Sequence, residues 1–109
     1  MSTDNDIRLV MVTAPDVDCA RRLARLALEA RVVACANLNL HVESHYWWQE
    51  KIQSSPEILI LFKTTAEHIL ALESLIVLHH PYETPEFVVL PIDSGNSRYL
   101  QWIKSNLAS

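Results

Sequence analysis

Glycine is almost missing from this 109-residue sequence: Gly95 is the only one. A chain so poor in glycine has no Gly-rich loop of the dinucleotide or P-loop kind, so two large enzyme classes lose their usual phosphate cradle. Cysteine is scarce too. Cys19 and Cys35 are the only two and lack Cys-x-x-Cys spacing, so neither a disulfide framework nor a structural zinc cage is indicated, and both read as reduced thiols. Positive charge is in deficit, with 9 Lys and Arg against 13 Asp and Glu and a net charge of -4. That sign repels nucleic-acid backbones and anionic membranes, and neither is expected as a partner. No apolar run approaches the roughly 18 residues of a membrane-spanning helix. The start, Met1 to Asp6, is polar and acidic, without the basic segment and apolar run of a secretory signal. The cytoplasm is the expected location.

What is present describes a folding chain. Hydrophobic residues make up 50% and charged residues 20%, an average globular mixture at the size of one domain. A single domain over 1–109 is expected, with residues 1–6 disordered. Ile7 to Val12 is a β-branched run ending at Thr13-Ala14-Pro15-Asp16, which reads as a strand followed by a helix with Asp16 as N-cap. From Asp18 to Arg31, Ala20, Leu23, Ala24 and Ala27 share one helical face and Arg21, Arg22, Arg25 and Glu29 the other. Val32 to Leu38 is apolar, and Leu38, Leu40 and Val42 then alternate with polar residues toward Trp48. After Gln49-Glu50-Lys51, the run Ile58 to Phe62 completes a long hairpin whose first strand spans roughly 36 Å. Edges of that length need covering, which points to self-association, although a covering loop would also serve. Thr64 and Glu67 match a capping box for a helix from Ala66 to Leu78, stopped by Pro81. Phe87 to Ile92 reads as a buried strand, and Tyr99, Leu100, Ile103 and Leu107 mark a final amphipathic helix. The order suits a split βαβ sheet with helices on one face.

Several groups could carry chemistry. His79-His80 can ligate copper, nickel or zinc through neutral imidazole nitrogen. Histidines at a helix end can equally satisfy its last carbonyls. Cys35 offers a soft thiolate, or a small hydrophobe within a strand. Glu83 and Glu86 flank Thr84-Pro85 near Tyr82. They could serve as acid and base, although no nucleophile accompanies them, or pair with Lys63 or an arginine of a neighbouring subunit. Tyr46-Trp47-Trp48 could stack bases, but the charge disfavours it and a subunit interface suits these residues better. The second helix is apolar nearly all round, with Ile69, Leu70, Leu72, Leu75, Ile76, Val77 and Leu78, so another chain is expected on its outer side.

Together these segments resemble the CutA family, the divalent-cation tolerance proteins. The motifs are Thr13-Ala14-Pro15, Ala34-Cys35-Ala36-Asn37-Leu38, Ser44-x-Tyr46-x-Trp48, Glu57 leading to Lys63-Thr64, His80-Pro81-Tyr82-Glu83-Thr84-Pro85-Glu86, Leu90-Pro91-Ile92 and Gly95-x-x-x-Tyr99-Leu100-x-Trp102. They cover nearly the whole chain in order. The resemblance implies an α+β, ferredoxin-like split βαβ sandwich with an extra C-terminal helix, assembled as a homotrimer with the hairpin pairing across subunits. It implies a part in tolerance to copper and other divalent ions by binding and not catalysis. No cofactor is required, and Cu(II) or another divalent cation is the ligand. His79 and His80 match two ligands attributed to some bacterial members, with Cys35 a further donor. The cysteine of that site is Val12 here. Two other departures fall in the hairpin, where a usual glycine is Glu50 and a usual Pro-Gly pair is Leu40-His41. The similarity of such trimers to the PII signalling proteins implies a second reading, an effector cleft between subunits lined by Trp48, Lys63, Tyr82 and Glu86.

Overall fold

The computed structural model describes residues 2–3 and 5–109. The strands are β1 (Ser2–Thr3), β2 (Ile7–Ala14), β3 (Cys35–Trp48), β4 (Lys51–Thr65), β5 (Val88–Pro91) and β6 (Ser94–Gly95). The helices are α1 (Val17–Glu29), α2 (Ile69–His79) and α3 (Ser97–Ser105). A four-stranded antiparallel sheet has the order β3-β4-β2-β5, and β1 pairs with β6 in a small second sheet. Ser2–Thr3 lie in that small sheet, and the Asp6 carbonyl accepts the Ala66 N–H at 2.7 Å. Met1 and Asp4 lie outside the described residues. No helix among the described residues is long and apolar enough to cross a membrane.

Alternation along the central strands decides what each side of the sheet meets. Val10, Val12, Ile58, Ile60 and Phe62 are buried with Ala20, Leu23 and Ala27 of α1 and Leu72 and Ile76 of α2. Fully burying a Val, Leu, Ile or Phe side chain contributes about 1.5–3 kcal/mol. On the alternate phase Leu9, Met11, Leu59 and Leu61 are only half-buried. There α3 covers one end, clustering Leu100 and Ile103 with Ile7 and Ala34. The strand read as buried, β5, is instead an edge whose residues Val88, Val89 and Leu90 are 48%, 37% and 37% exposed. It pairs on one side only, with β2.

The local signals came out unevenly. Asp16 caps α1, its carboxylate accepting the Cys19 N–H at 2.8 Å. Past the end of α1, Arg31 takes a positive φ of 60°, and the Arg31 and Val32 N–H groups close on Leu28 and Ala27 carbonyls, the closure usually given to glycine. The expected capping box does not form. Thr64 is fully buried in β4 and donates to the Val32 carbonyl at 2.7 Å. The residue preceding the helical turn is Thr65, whose hydroxyl bonds His68 Nδ1 at 2.8 Å. His68 Nε2 in turn reaches the Ala108 carbonyl at 2.9 Å and holds the C-terminal segment down. A 3-10 turn over Ala66–His68 leads into α2, where only Leu72 and Ile76 are buried and Leu70, Val77 and Leu78 are 77%, 57% and 77% exposed. The single glycine answers to space rather than dihedral, since a Cβ on Gly95 would meet Leu100 at 3.0 Å.

Two departures in the hairpin have structural answers. Gln49 and Glu50 both take positive φ, 50° and 63°, between Trp48 and Lys51, the geometry of a two-residue hairpin turn held without glycine. Pairing steps from Asn39↔Leu59 to Val42↔Glu57, so Leu40 and His41 oppose Ile58 in a bulge. The Asn39 side chain accepts the His41 N–H there at 3.1 Å.

Candidate functional site

At the base of the projecting hairpin, the segment after α2 folds over the ends of the sheet strands. His80 anchors it. The ring is buried, 8% exposed; Nε2 donates to the Thr13 carbonyl at 2.7 Å, and Nδ1 accepts the Tyr82 N–H at 3.0 Å. Since a carbonyl only accepts and an amide N–H only donates, these bonds fix the neutral Nε2–H tautomer. The Tyr82 ring lies tilted against His80, with centroids 4.7 Å apart and an angle of 52°. Its hydroxyl donates to Glu57 Oε2 at 2.9 Å.

Glu57 is the residue that motif reading left without a role. It is 8% exposed, an unusual burial for a carboxylate. The available signal was a glutamate opening the buried run Ile58 to Phe62. Its charge marks the surroundings. Burial pushes the Tyr82 phenol up to about 12, helped by the hydrogen bond to Glu57 and by that carboxylate's charge. Burial raises Glu86 above the ordinary carboxylate range, with Glu57 adding to it. Cys19 is raised by burial and Asp16, partly opposed by Arg22, so its thiol stays protonated near neutrality.

The residues singled out from sequence are only partly brought together. Tyr82 and Glu86 both sense Glu57. Lys63 lies six residues along β4, roughly 20 Å away, opposite Cys35, with Nζ on the Tyr99 hydroxyl at 3.1 Å. Trp48 pairs with Lys51 at the far hairpin end and is 57% exposed. One chain therefore does not assemble Trp48 and Lys63 with Tyr82 and Glu86. The histidine pair is also divided. His79 ends α2, and its carbonyl accepts from Arg22 Nη2 at 2.8 Å. His80 has both ring nitrogens engaged. Cys35 is in β3, its Sγ 3.7 Å from Asn37 Oδ1. Among the described residues no three His, Cys, Asp or Glu side chains converge on a point able to hold a metal. Val12, where the resemblance implies a thiol, is fully buried among apolar residues. The donors of one chain do not make the expected copper site.

The fold and this site define an α+β domain of ferredoxin-like topology with a buried carboxylate under a tyrosine at the hairpin base. The sequence model of the CutA1 divalent ion tolerance protein family matches residues 8–106. The chain is 40% identical over 102 residues to a divalent-cation tolerance protein CutA of Pectobacterium atrosepticum, covering 94% of this chain and 93% of that protein. Among solved structures it is similar to CutA1 of the psychrotrophic bacterium Shewanella sp. SIB1, with a TM-score of 0.92, 39% identity and coverage of 99% of this chain and 100% of that one. CutA1 of Oryza sativa superposes with a TM-score of 0.93 at 36% identity, covering 98% of each chain. The chain belongs to the CutA family of divalent-cation tolerance proteins.

Proposed function

We propose that this protein acts as a cytoplasmic homotrimer in the cell's handling of divalent metal ions, by binding and not by catalysis. Family membership supports the metal role. The observation that carries the assembly is the unfinished sheet. Leu9, Met11, Leu59 and Leu61 are half-buried on one side, while the edge strand β5 and the hairpin end present Val88, Leu90, Trp47, Trp48 and Ile52 to solvent. A monomer this size rarely leaves so much apolar surface and two free sheet edges. Pairing of copies edge to edge covers both, and a cyclic arrangement closes the series.

Assembly also bears on the ligand. Since three donors do not converge among the described residues of one chain, a divalent ion with ordinary coordination draws on more than one copy. His79, whose ring makes no hydrogen bond among the described residues, is the imidazole of the pair left to serve. Sedimentation equilibrium should give three times the 12.4 kDa chain mass. Titration calorimetry with Cu(II) and Zn(II) should show binding that weakens in His79→Ala. A monodisperse monomer, or heats that do not change with His79→Ala, would count against the respective half.

A second reading rests on the Glu57–Tyr82 pair. A buried carboxylate under a phenol, with Glu86 beside it, is the polar floor of an effector cleft to which Trp48 and Lys63 come from a neighbouring copy. Thermal shifts across cationic metabolites and nucleotides distinguish the two, because a true effector stabilises by mass action.

A further inference from the structure

We infer that His80 is a positioning residue that presents Tyr82 to Glu57, and that it is not a metal ligand in this chain. The bonding of its ring carries the assignment. A metal ligand needs a free lone pair on an imidazole nitrogen. In the tautomer required here the only lone pair is on Nδ1, and the Tyr82 N–H occupies it at 3.0 Å. Moving the proton to Nδ1 would free Nε2, but that nitrogen faces the Thr13 carbonyl at 2.7 Å. Two lone pairs would then oppose each other, while Nδ1–H pressed against the Tyr82 N–H.

The surroundings agree with that bonding. The ring is 8% exposed, and Val12, the residue before the Thr13 carbonyl it bonds, is fully buried and offers no donor. On the solvent side, the Arg22 guanidinium sits on the neighbouring His79 carbonyl at 2.8 Å.

The same bonds give His80 a positive role. Through Nε2 it is tied to the end of β2, and through Nδ1 it fixes the backbone of Tyr82 two residues on. The tilted ring contact then sets the Tyr82 side chain on its path to Glu57. His80 thus couples the sheet to the carboxylate pocket without touching anything the pocket would hold. This arrangement rests on one chain alone and stands whether or not the protein binds metal.

The test uses the full chain. Long-range proton–nitrogen NMR should show His80 as the Nε2–H tautomer, with nitrogen shifts unmoved by saturating Zn(II). Two conservative variants separate the two bonds. The Oδ1 of His80→Asn lies where Nδ1 was, so Tyr82 amide exchange should stay within about threefold of wild type. The amide of His80→Gln can keep the Thr13 bond but not the other, so Tyr82 exchange should rise at least about tenfold. Cu(II) affinity in His80→Asn should stay within about threefold, against the roughly 10- to 100-fold loss expected when a metal site is disturbed. A Zn(II)-induced shift of either His80 nitrogen would overturn the inference. So would a tenfold loss of Cu(II) affinity in His80→Asn with Tyr82 protection intact. If His80→Gln does not fold, the wild-type spectra decide. If the wild type binds neither metal, the metal-binding reading fails and the tautomer and exchange results still judge His80.

Discussion

Tyr82→Phe removes one oxygen and tests the carboxylate pocket directly. Glu57 is 8% exposed, and the bond its carboxylate makes in this structure is to the Tyr82 hydroxyl at 2.9 Å. A hydrogen bond to a charged group contributes about 1.5–3 kcal/mol, and an orphaned buried acceptor forfeits its desolvation cost as well. Tyr82 is 37% exposed, so water can partly take the place of the lost hydroxyl. The expected loss is therefore at the low end, about 1–2 kcal/mol, which for a chain of this size is a fall in Tm of roughly 4–8 °C. Melting must be followed at fixed protein concentration, because assembly makes Tm concentration-dependent. The diagnostic comparison is Tyr82→Phe with and without Glu57→Leu. Removing the donor alone strands a buried charge, whereas removing both leaves nothing unsatisfied, so the double variant should regain at least about half of the loss. A single variant melting within about 1 °C of wild type would show that the bond contributes nothing in solution. A double variant no better than the sum of its parts would show that the two residues act independently.

Glu86→Gln should raise Tm at pH 7 and have little effect near pH 3.5. The folded-state pKa of Glu86 lies above the ordinary value, so its favourable contribution is present below the unfolded pKa near 4.3 and is lost as pH rises through the folded pKa. Tyr82 obeys the same sign at the alkaline end: held protonated until about pH 12, it makes unfolding easier as pH climbs above about 10, where the unfolded phenol ionises. Tyr82→Phe should show a shallower alkaline loss of Tm above that pH. Glu50→Gly should stabilise each chain by about 0.5–1 kcal/mol, since an ordinary residue at positive φ costs about 1–2 kcal/mol and glycine returns part of that as chain entropy. An unchanged melting midpoint would mean the turn is not strained. Val88→Glu places a charge on the exposed edge of β5; sedimentation should then show smaller species if that edge joins copies.

Much of the fold was legible because burial imposed a period. The α1 face Ala20, Leu23, Ala24 and Ala27 was read from its helical spacing and is buried as expected. β5 was not, since its apolar run is the same whether a helix or another chain covers it. Thr64 failed as a cap for a related reason. Strand alternation carried it inward to the Val32 carbonyl before the helix began, a tertiary demand that a four-residue motif does not contain. The site was legible by name and not by bonding. His80 and Tyr82 stood out, but whether an imidazole is free depends on Thr13, 67 residues away along the chain. Glu57 was hidden by its neighbours, because one acid at the head of an apolar run looks like a strand's solvent end.

The bulge at Leu40 and His41 leaves unchanged which aromatics the hairpin end offers to the pocket side. Beyond it Tyr46 stands across from Gln53 and Trp48 across from Lys51, on the same side of β4 as Glu57, because successive side chains point to opposite faces. Take away one of the two residues and a single residue opposes Ile58: the ladder becomes regular, Val42 still meets Glu57, and Tyr46 and Trp48 keep their side. The extra residue therefore sets the bend and twist with which the outer hairpin leaves the sheet, and not its register.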